Sequence, residues 1–315
     1  MPIGEILAWL MTQGVCPSIP EAVPVSMGAG GAKLYVLHCG EERYVLKIAH
    51  PSFRPGDMDW LLSCRKEAAF YRLCGTMPET ADFVPEVRFA GEHPAFGVLL
   101  VMAYHEPVPH GAWNEDLLES AMDTCARLHS MDPALFAPLE LERTPCQVRQ
   151  EDAEQALAAW EKVLAEHPGV FIKSLLTEVY RHLNEACGIL NRGPFCLCHG
   201  DFHPENLLWE KGRMYVCDWQ NLHRGKPVGD VSFFCSRGRG FGIPLEEEKL
   251  LAYYCGRLSA YTGVRTELRE LHRERCAASL MNVFMGWPYW LTGCTAERVA
   301  VQWNEMTDSL HGLLA

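Results

Sequence analysis

One segment of the 315-residue chain, residues 199–220, constrains the fold more than any other. It begins with His-Gly-Asp-Phe-His-Pro-Glu-Asn and ends with Asp-Trp-Gln. Asp201 and Asn206 have the Asp-x-x-x-x-Asn spacing of a kinase catalytic loop. Asp218 ends the apolar run at residues 214–217, where an acid that holds a metal ion would lie. Asp, Pro and Asn are also common in ordinary turns, but the three groups together predict magnesium-assisted phosphoryl transfer.

Composition narrows the range of partners and compartments. The formal net charge of −12 argues against nucleic acid and anionic lipid as partners, and it suits either a cationic substrate or simple solubility. The 14 cysteines are scattered through apolar stretches, so we expect reduced core residues. The N-terminus lacks the layout of a secretory signal, and no apolar run reaches the roughly 18 residues of a membrane span. We therefore expect a cytoplasmic protein with no membrane partner.

The first third of the chain has the pattern of a small antiparallel sheet. Apolar stretches alternate with glycine-containing turns, and one helix, capped by Asp57 or Asp59, is expected to cross the sheet. These features predict an N-terminal lobe at residues 1–103. Its predicted elements are two or three strands in residues 22–48, a helix at 59–73, and strands at 86–90 and 97–103 with a turn at 91–94 between them.

From residue 104 onward the apolar residues recur at helical spacing. A short strand-rich island at residues 195–219 interrupts the helices and carries the motif described above. Residues 102–106 would form a hinge, because no flexible linker is evident. The fold class predicted is α+β with two lobes, the second being mainly helical and covering residues 104–315. The predicted helices are 115–131, 152–166, 175–190, 245–261, 266–286 and 295–314.

Each task in phosphoryl transfer requires a particular type of residue. Asp201 would orient an acceptor hydroxyl and take its proton late, since alignment matters more than basicity in a loose transition state. Asn206 and Asp218 would supply oxygen ligands to magnesium, which is a hard cation. The predicted cofactors are therefore magnesium and ATP or GTP, and the predicted partner is a small molecule that carries a hydroxyl group.

The motif resembles that of the aminoglycoside phosphotransferase family. The stretches that carry the resemblance are residues 199–206, 218–220 and 229–230. The resemblance implies a protein-kinase-like fold and ATP-dependent phosphorylation, in a superfamily that also includes choline, fructosamine, homoserine and ecdysteroid-type kinases. It implies that Asp201 is the catalytic residue, that Asn206 and Asp218 bind the metal, and that Asp230 supports the backbone of the catalytic loop. The acceptor, a role in antibiotic resistance and the oligomeric state stay open.

Two residues of the N-terminal lobe fit the same resemblance. Lys47 lies in Tyr-Val-Leu-Lys-Ile, which is similar to the family strand whose lysine contacts the α- and β-phosphates. Glu67, 20 residues later on the predicted helix, fits the glutamate that pairs with this lysine. Taken alone, Lys47 is equally typical of a sheet-edge lysine in water. A solvated position on the helix face is the alternative for Glu67.

The remaining nucleotide contacts are predicted from weaker patterns. Ser26, Gly28 and Gly30 would form a loop over the nucleotide, because glycines allow close approach of the backbone to phosphate oxygens. An ordinary hairpin turn explains the same glycines. Met102 and Tyr104 would offer backbone groups to the adenine edge, which the resemblance alone implies.

Other functions stay open at this stage. His199, Asp201 and His203 alternate along an extended segment and would suit the zinc site of a hydrolase. A nucleotide-binding regulatory module that has lost catalysis is a second alternative. The aromatic residues at 287–290 would form either a wall for a cationic or sugar-like acceptor or part of the core.

Overall fold

The structure of the protein is a computed structural model that describes residues 3–25, 30–141 and 145–315. The strands are β1 (Glu21–Val25), β2 (Lys33–Cys39), β3 (Glu42–Ala49), β4 (Val87–His93), β5 (Gly97–Ala103), β6 (Glu106–Pro107), β7 (Cys196–Cys198), β8 (Leu207–Glu210), β9 (Arg213–Val216) and β10 (His223–Gly225). The helices are α1 (Ile3–Thr12), α2 (Met58–Cys74), α3 (Glu115–Ser130), α4 (Gln150–Ala165), α5 (Ser174–Leu190), α6 (Val228–Gly240), α7 (Glu247–Thr262), α8 (Leu268–Gly286), α9 (Pro288–Leu291) and α10 (Ala296–Leu314).

These elements form two compact units. The first unit contains Met1–Val108, Phe136–Glu140 and Glu205–Leu222, and the second contains Pro109–Leu135, Leu141–Pro204 and His223–Ala315. The motif at residues 199–220 is thus divided between the units after Pro204. The lobe boundary at residues 103 and 104 stays a prediction.

The first unit is built on an antiparallel sheet with the strand order β1-β2-β3-β5-β4. Of the two or three strands predicted for residues 22–48, three are present, and β3 lies at the centre of the sheet. In β3, Lys47 pairs with Leu34 on one side and with Leu100 on the other. The interpretation of Lys47 as a sheet-edge residue in water is therefore wrong. The turn predicted at residues 91–94 is also placed too early, because β4 continues to His93.

Helix α2 begins where the sequence indicates. Its N-cap is Asp57, whose side chain accepts a hydrogen bond from the backbone N–H of Trp60 (3.0 Å). The helix packs on β4 and β5. Because Glu67, Phe70 and Tyr71 are almost completely buried, this face of α2 carries one charged side chain into the interior of the unit.

A second sheet in the first unit, with the order β6-β8-β9, carries the end of the motif. Strands β8 and β9 are joined by Lys211 and Gly212, which both have positive φ (50° and 82°). Two consecutive positive φ angles are the signature of a tight type I′ hairpin. The hairpin register pairs Leu207 with Val216, and the N–H of Cys217 donates to the carbonyl of Asn206 (3.0 Å).

The second unit is mainly helical. Its core lies among α4, α5, α8 and α10, where the indole N–H of the fully buried Trp160 donates to the carbonyl of Phe284 (3.0 Å). Strands β7 and β10 form a small antiparallel pair. The six predicted helices are confirmed with small shifts at their ends, but α6 and the short α9 were not predicted.

One expectation about the cysteines is wrong. Cys16, which follows α1, and Cys39, at the end of β2, form a disulfide with their Cα atoms 6.1 Å apart. The sequence could not indicate this pair, because its proximity depends on how α1 packs on the sheet.

Among the described residues, no helix is both long enough and apolar enough to cross a bilayer.

Candidate active site

Three charged residues from distant parts of the sequence meet in the first unit. The Nζ of Lys47 lies 2.8 Å from Oε2 of Glu67 and 2.8 Å from Oδ1 of Asp218. The side chains of Lys47 and Glu67 are 11% and 3% exposed, whereas that of Asp218 is 37% exposed. The lysine is therefore held between a buried acid and an acid that water and ligands can reach.

Burial and close contact shift the pKa values of Glu67 and Lys47. Burial raises the pKa of Glu67 to about 7, and the nearby Lys47 ammonium offsets only part of that effect. For Lys47, burial alone would lower the pKa, but the carboxylates of Glu67 and Asp218 outweigh it and raise the pKa above its ordinary value. Lys47 thus keeps its positive charge at neutral pH.

At the open end of the β8–β9 hairpin, opposite its turn, the strand pairing brings the two proposed metal ligands close together. Asn206 lies opposite Cys217, and Asp218 is the next residue along the chain. Asp218 has a left-handed backbone (φ 66°), a conformation that aspartate adopts more readily than most residues. The Nε2 of Gln220 also donates to Oδ1 of Asp218 (2.5 Å). A carboxylate and an amide oxygen form a donor set that suits a hard divalent cation such as magnesium.

The glycine-rich loop is described only in part. Ser26 and Gly28 lie outside the described residues, so their predicted contact with the nucleotide stays a prediction. Gly30 lies beside the side chain of Gln220, since a Cβ added to Gly30 would be 3.8 Å from Gln220 Nε2. Because Gln220 donates to Asp218, Gly30 is two side-chain contacts away from the proposed metal ligand.

The segment predicted to face adenine continues the sheet. Met102 is buried in β5 and pairs with Val45, and the N–H of Tyr104 donates to the carbonyl of Arg43 (3.0 Å). The amide of Tyr104 is therefore already used within the sheet. Met102 and Tyr104 stay predictions as nucleotide contacts.

Asp201 lies in the second unit, in a turn after β7. Its backbone N–H donates to Nδ1 of His199 (3.2 Å), and its Oδ1 lies 3.7 Å from Nε2 of His203. The preceding Gly200 has a φ of 80°, which only glycine adopts without strain. The Asp201 side chain is 28% exposed, so a small molecule can reach it. The convergence of Asp201 with Asn206 and Asp218 on one metal ion stays a prediction.

Asp230, in the first turn of α6, holds the backbone of this turn. Its Oδ2 accepts a hydrogen bond from the N–H of His199 (2.7 Å), and its Oδ1 accepts one from the N–H of Gly200 (2.8 Å). These are the backbone contacts that the family resemblance implied for Asp230. These two hydrogen bonds fix the backbone just before Asp201 to the N-terminal turn of α6.

His129, in α3, completes this support and was not predicted. Its Nε2 lies 3.1 Å from Oδ2 of Asp230, and its Nδ1 lies 2.7 Å from the hydroxyl of Tyr254 in α7. Burial alone would lower the pKa of His129, but Cys125, Tyr254 and Asp230 outweigh it and hold the pKa well above its ordinary value. The only signal in the sequence was a histidine on the apolar face of a helix.

The zinc-hydrolase alternative is not supported by the geometry. In the part of the chain that the structure describes, the group of possible metal ligands that lie within 4.8 Å of one another is His129, Cys196 and Cys198. His199, Asp201 and His203 do not form such a group. Both ring nitrogens of His129 are already hydrogen-bonded to Asp230 and Tyr254, so this cluster is best explained as side-chain packing behind the loop.

The aromatic stretch at residues 287–290 divides between core and surface. Trp287 packs against the core of the second unit, whereas Tyr289 and Trp290 are 55% and 78% exposed. Contact of these residues with an acceptor stays a prediction.

Comparison with known proteins assigns the family. The model of the phosphotransferase enzyme family (APH) matches residues 21–271, which is most of the chain. The chain belongs to this family. It is therefore a small-molecule kinase of the aminoglycoside phosphotransferase type, with the α+β, protein-kinase-like fold that the sequence predicted. A search of curated protein sequences gave no significant match to this phosphotransferase.

Solved structures share the fold of this phosphotransferase at low sequence identity. Choline kinase from Cryptosporidium parvum Iowa II has a TM-score of 0.60 at 11% identity, covering 99% of this chain and 95% of that one. Macrolide 2'-phosphotransferase MphH from Brachybacterium faecium has a TM-score of 0.56 at 16% identity, covering 95% and 96%. The streptomycin–ATP–APH(2")-IIa ternary complex has a TM-score of 0.54 at 17% identity, covering 99% of both chains.

Proposed function

We propose that this phosphotransferase uses ATP and magnesium to phosphorylate a hydroxyl group of a small molecule. The observation that carries the proposal is the position of Lys47, whose Nζ is 2.8 Å from both Glu67 and Asp218. A buried lysine that is fixed by two acids, one of them partly exposed, suits the binding of a phosphate chain beside a metal ion.

Each residue of the first unit would have a separate task. Lys47 would bind the α- and β-phosphates through its ammonium group, and Glu67 would hold that group in place. Asn206 and Asp218 would bind magnesium, which, when bound, neutralises the charge of the phosphates. Gly30 would let the backbone approach the nucleotide. GTP in place of ATP is compatible with these contacts, because all of them involve phosphates or metal.

Asp201 would act on the acceptor. It would accept a hydrogen bond from the acceptor hydroxyl and align its oxygen with the γ-phosphorus. The new oxygen–phosphorus bond forms as the bond to the β,γ-bridging oxygen breaks, and the hydroxyl proton passes to the Asp201 carboxylate. The hydrogen bonds from His199 and Gly200 to Asp230 keep this loop in position.

The acceptor class is proposed from charge and from the relatives. The related structures include a choline kinase, a macrolide 2'-phosphotransferase and a streptomycin–ATP complex of APH(2")-IIa. With a net charge of −12, the chain would attract cationic alcohols and amino sugars over neutral ones. We infer that such molecules are the first acceptors to test, and that the cytoplasm, which supplies ATP, is the compartment of the reaction.

The test compares the wild-type chain with Asp201→Asn. ATP consumption is measured with magnesium over a panel of alcohols, amino sugars and hydroxyl-bearing amino acids. We expect turnover with at least one acceptor and a loss of about 10²- to 10⁴-fold in kcat for the variant, which keeps the shape of the side chain but not its charge. The thermal shift with Mg–ATP should stay at the wild-type value.

Two outcomes would contradict this assignment in different ways. Equal turnover in the variant would remove Asp201 from the reaction. Tight Mg–ATP binding by the wild type, with no transfer to any acceptor in the panel, would instead favour the regulatory module that has lost catalysis.

A further inference from the structure

Two cysteines outside the candidate active site lie side by side in the second unit. Cys146 is in the loop before α4, and Cys187 is in the last turn of α5. Their Sγ atoms are 2.7 Å apart, compared with about 2.05 Å in a disulfide bond. Cys196 and Cys198, both buried in β7, have a longer Sγ–Sγ distance of 3.6 Å. The Cys146–Cys187 pair is therefore close enough to bond with little movement of the chain.

The backbone of Cys146 is fixed to the helix that carries Cys187. The N–H of Cys146 donates to Oδ1 of Asn191 (3.0 Å), and Nδ2 of Asn191 donates to the carbonyl of Cys146 (2.7 Å). Asn191 is the C-cap of α5, and its own N–H donates to the carbonyl of Cys187 (3.0 Å). Three hydrogen bonds through one residue thus hold the two cysteines in register.

The two thiols differ in their access to water. Cys146 is partly exposed, whereas Cys187 is 7% exposed. Burial and the neighbouring Cys187 raise the pKa of the Cys146 thiol to about 12. Because Cys146 is the more exposed of the two, a small oxidant would reach its sulfur first.

We propose that Cys146 and Cys187 form a site for thiol–disulfide exchange, which a small disulfide of the glutathione type converts to an intramolecular disulfide. Cys146 loses its proton and attacks one sulfur of the small disulfide, whose S–S bond breaks and releases one thiol. Cys187 then attacks the Cys146 sulfur of the mixed disulfide and releases the second thiol. Two protein thiols and one small disulfide thus give one protein disulfide and two small thiols, and the electrons balance.

The bond would fix the loop at residues 145–149 onto α5. The two cysteines are separated by 41 residues, so the cross-link would also remove conformational freedom from the unfolded chain. We therefore expect the oxidised protein to have a higher Tm than the reduced protein. This site is independent of the proposed kinase reaction, and its test does not require activity.

Peptide mapping of the full-length protein tests the proposal. The reduced chain is equilibrated with mixtures of oxidised and reduced glutathione, alkylated and digested with trypsin. Cleavage after arginine places Cys146 in peptide 144–149 and Cys187 in peptide 182–192, each with a single cysteine. We expect these two peptides to be linked, with the loss of two hydrogens, at glutathione ratios that leave Cys196 and Cys198 alkylated.

Substitutions distinguish a specific Cys146–Cys187 disulfide from nonspecific oxidation of exposed cysteines. Cys187→Ser should abolish the linked peptide and leave Cys146 as a mixed disulfide with glutathione. Cys294→Ser is the matched control, because Cys294 is also partly exposed but its sulfur contacts the carbonyl of Trp290 (3.5 Å). This variant should form the Cys146–Cys187 link as the wild type does. The proposal is overturned if peptide 144–149 stays alkylated throughout, or if it links to Cys196 or Cys198 as readily as to Cys187.

Discussion

At the residue scale, His129 illustrates how a buried charge supports the turn before Asp201 through a second side chain, Asp230. Its side chain is fully buried, and it contacts Asp230, which accepts hydrogen bonds from the turn before Asp201. Burial would raise the pKa of Asp230, but the hydrogen bond from His129 and its charge hold that pKa below the ordinary value. The pair is therefore an ion pair at neutral pH, and its loss would leave Asp230 as an uncompensated buried charge.

His129→Gln should destabilise the protein in a pH-dependent way. Because the folded-state pKa of His129 is raised well above 6.5, its charge stabilises the fold fully below about pH 6.5 and progressively less as pH rises toward the folded-state pKa. The loss in unfolding free energy should be roughly 3 kcal/mol at about pH 6 and smaller at about pH 9. Thermal unfolding at several pH values measures it.

An exposed histidine provides the control for this variant. His110 stacks on Phe241 at 4.1 Å, so His110→Gln should change Tm little at any pH. If His129→Gln lowers Tm equally across the pH range, the histidine has no charged role and only fills space.

At the element scale, the β8–β9 hairpin positions Asn206 and Asp218. Lys211 and Gly212 form its turn with φ angles of 50° and 82°, which suit asparagine followed by glycine better than lysine followed by glycine. The two-residue connection sets the register of the strands. The positions of both proposed metal ligands therefore depend on the conformation of this turn.

Changes in the turn should shift stability in opposite directions. A Cβ at Gly212 would meet nothing within 4 Å, so Gly212→Ala causes no clash. Alanine is strained at the positive φ of this position, and the substitution should therefore lower the unfolding free energy by about 1 kcal/mol. Lys211→Asn should raise it by a few tenths of a kcal/mol, because asparagine tolerates this conformation. Chemical denaturation of both variants measures whether the two changes in unfolding free energy have these opposite signs. A gain in stability for Gly212→Ala would contradict the turn assignment.

The secondary structure was predictable where local signals agree with packing. Helix α2 has an aspartate cap and a regular apolar face, and it begins within one residue of the prediction. Helix α6 was not predicted, because Gly229, Gly238 and Gly240 lower its intrinsic helix propensity and burial on several faces removes its amphipathic pattern. Burial of α6 in the second unit outweighs that weak propensity.

At the scale of the whole molecule, the sequence indicated residue types but not their contacts. The motif itself supplied Asp201, Asn206 and Asp218, because their spacing is local. The pairing of Lys47 with Asp218 joins residues 171 positions apart, so only the fold brings it about. The same is true of His129, whose partner Asp230 lies 101 residues away and whose role no local pattern predicts.

The central claim is that Lys47 and Asp218 belong to a binding site for nucleotide and magnesium. Calorimetric titration of the full-length protein with Mg–ATP tests it most directly, with Asp218→Asn as the variant and Asp82→Asn as the control. Asp82 is an exposed acid of the same unit that pairs with Arg213 at 3.6 Å. We predict that the wild type and Asp82→Asn bind Mg–ATP equally, and that Asp218→Asn raises Kd about tenfold or more, or about 1.4 kcal/mol. Wild-type affinity in Asp218→Asn would contradict the claim.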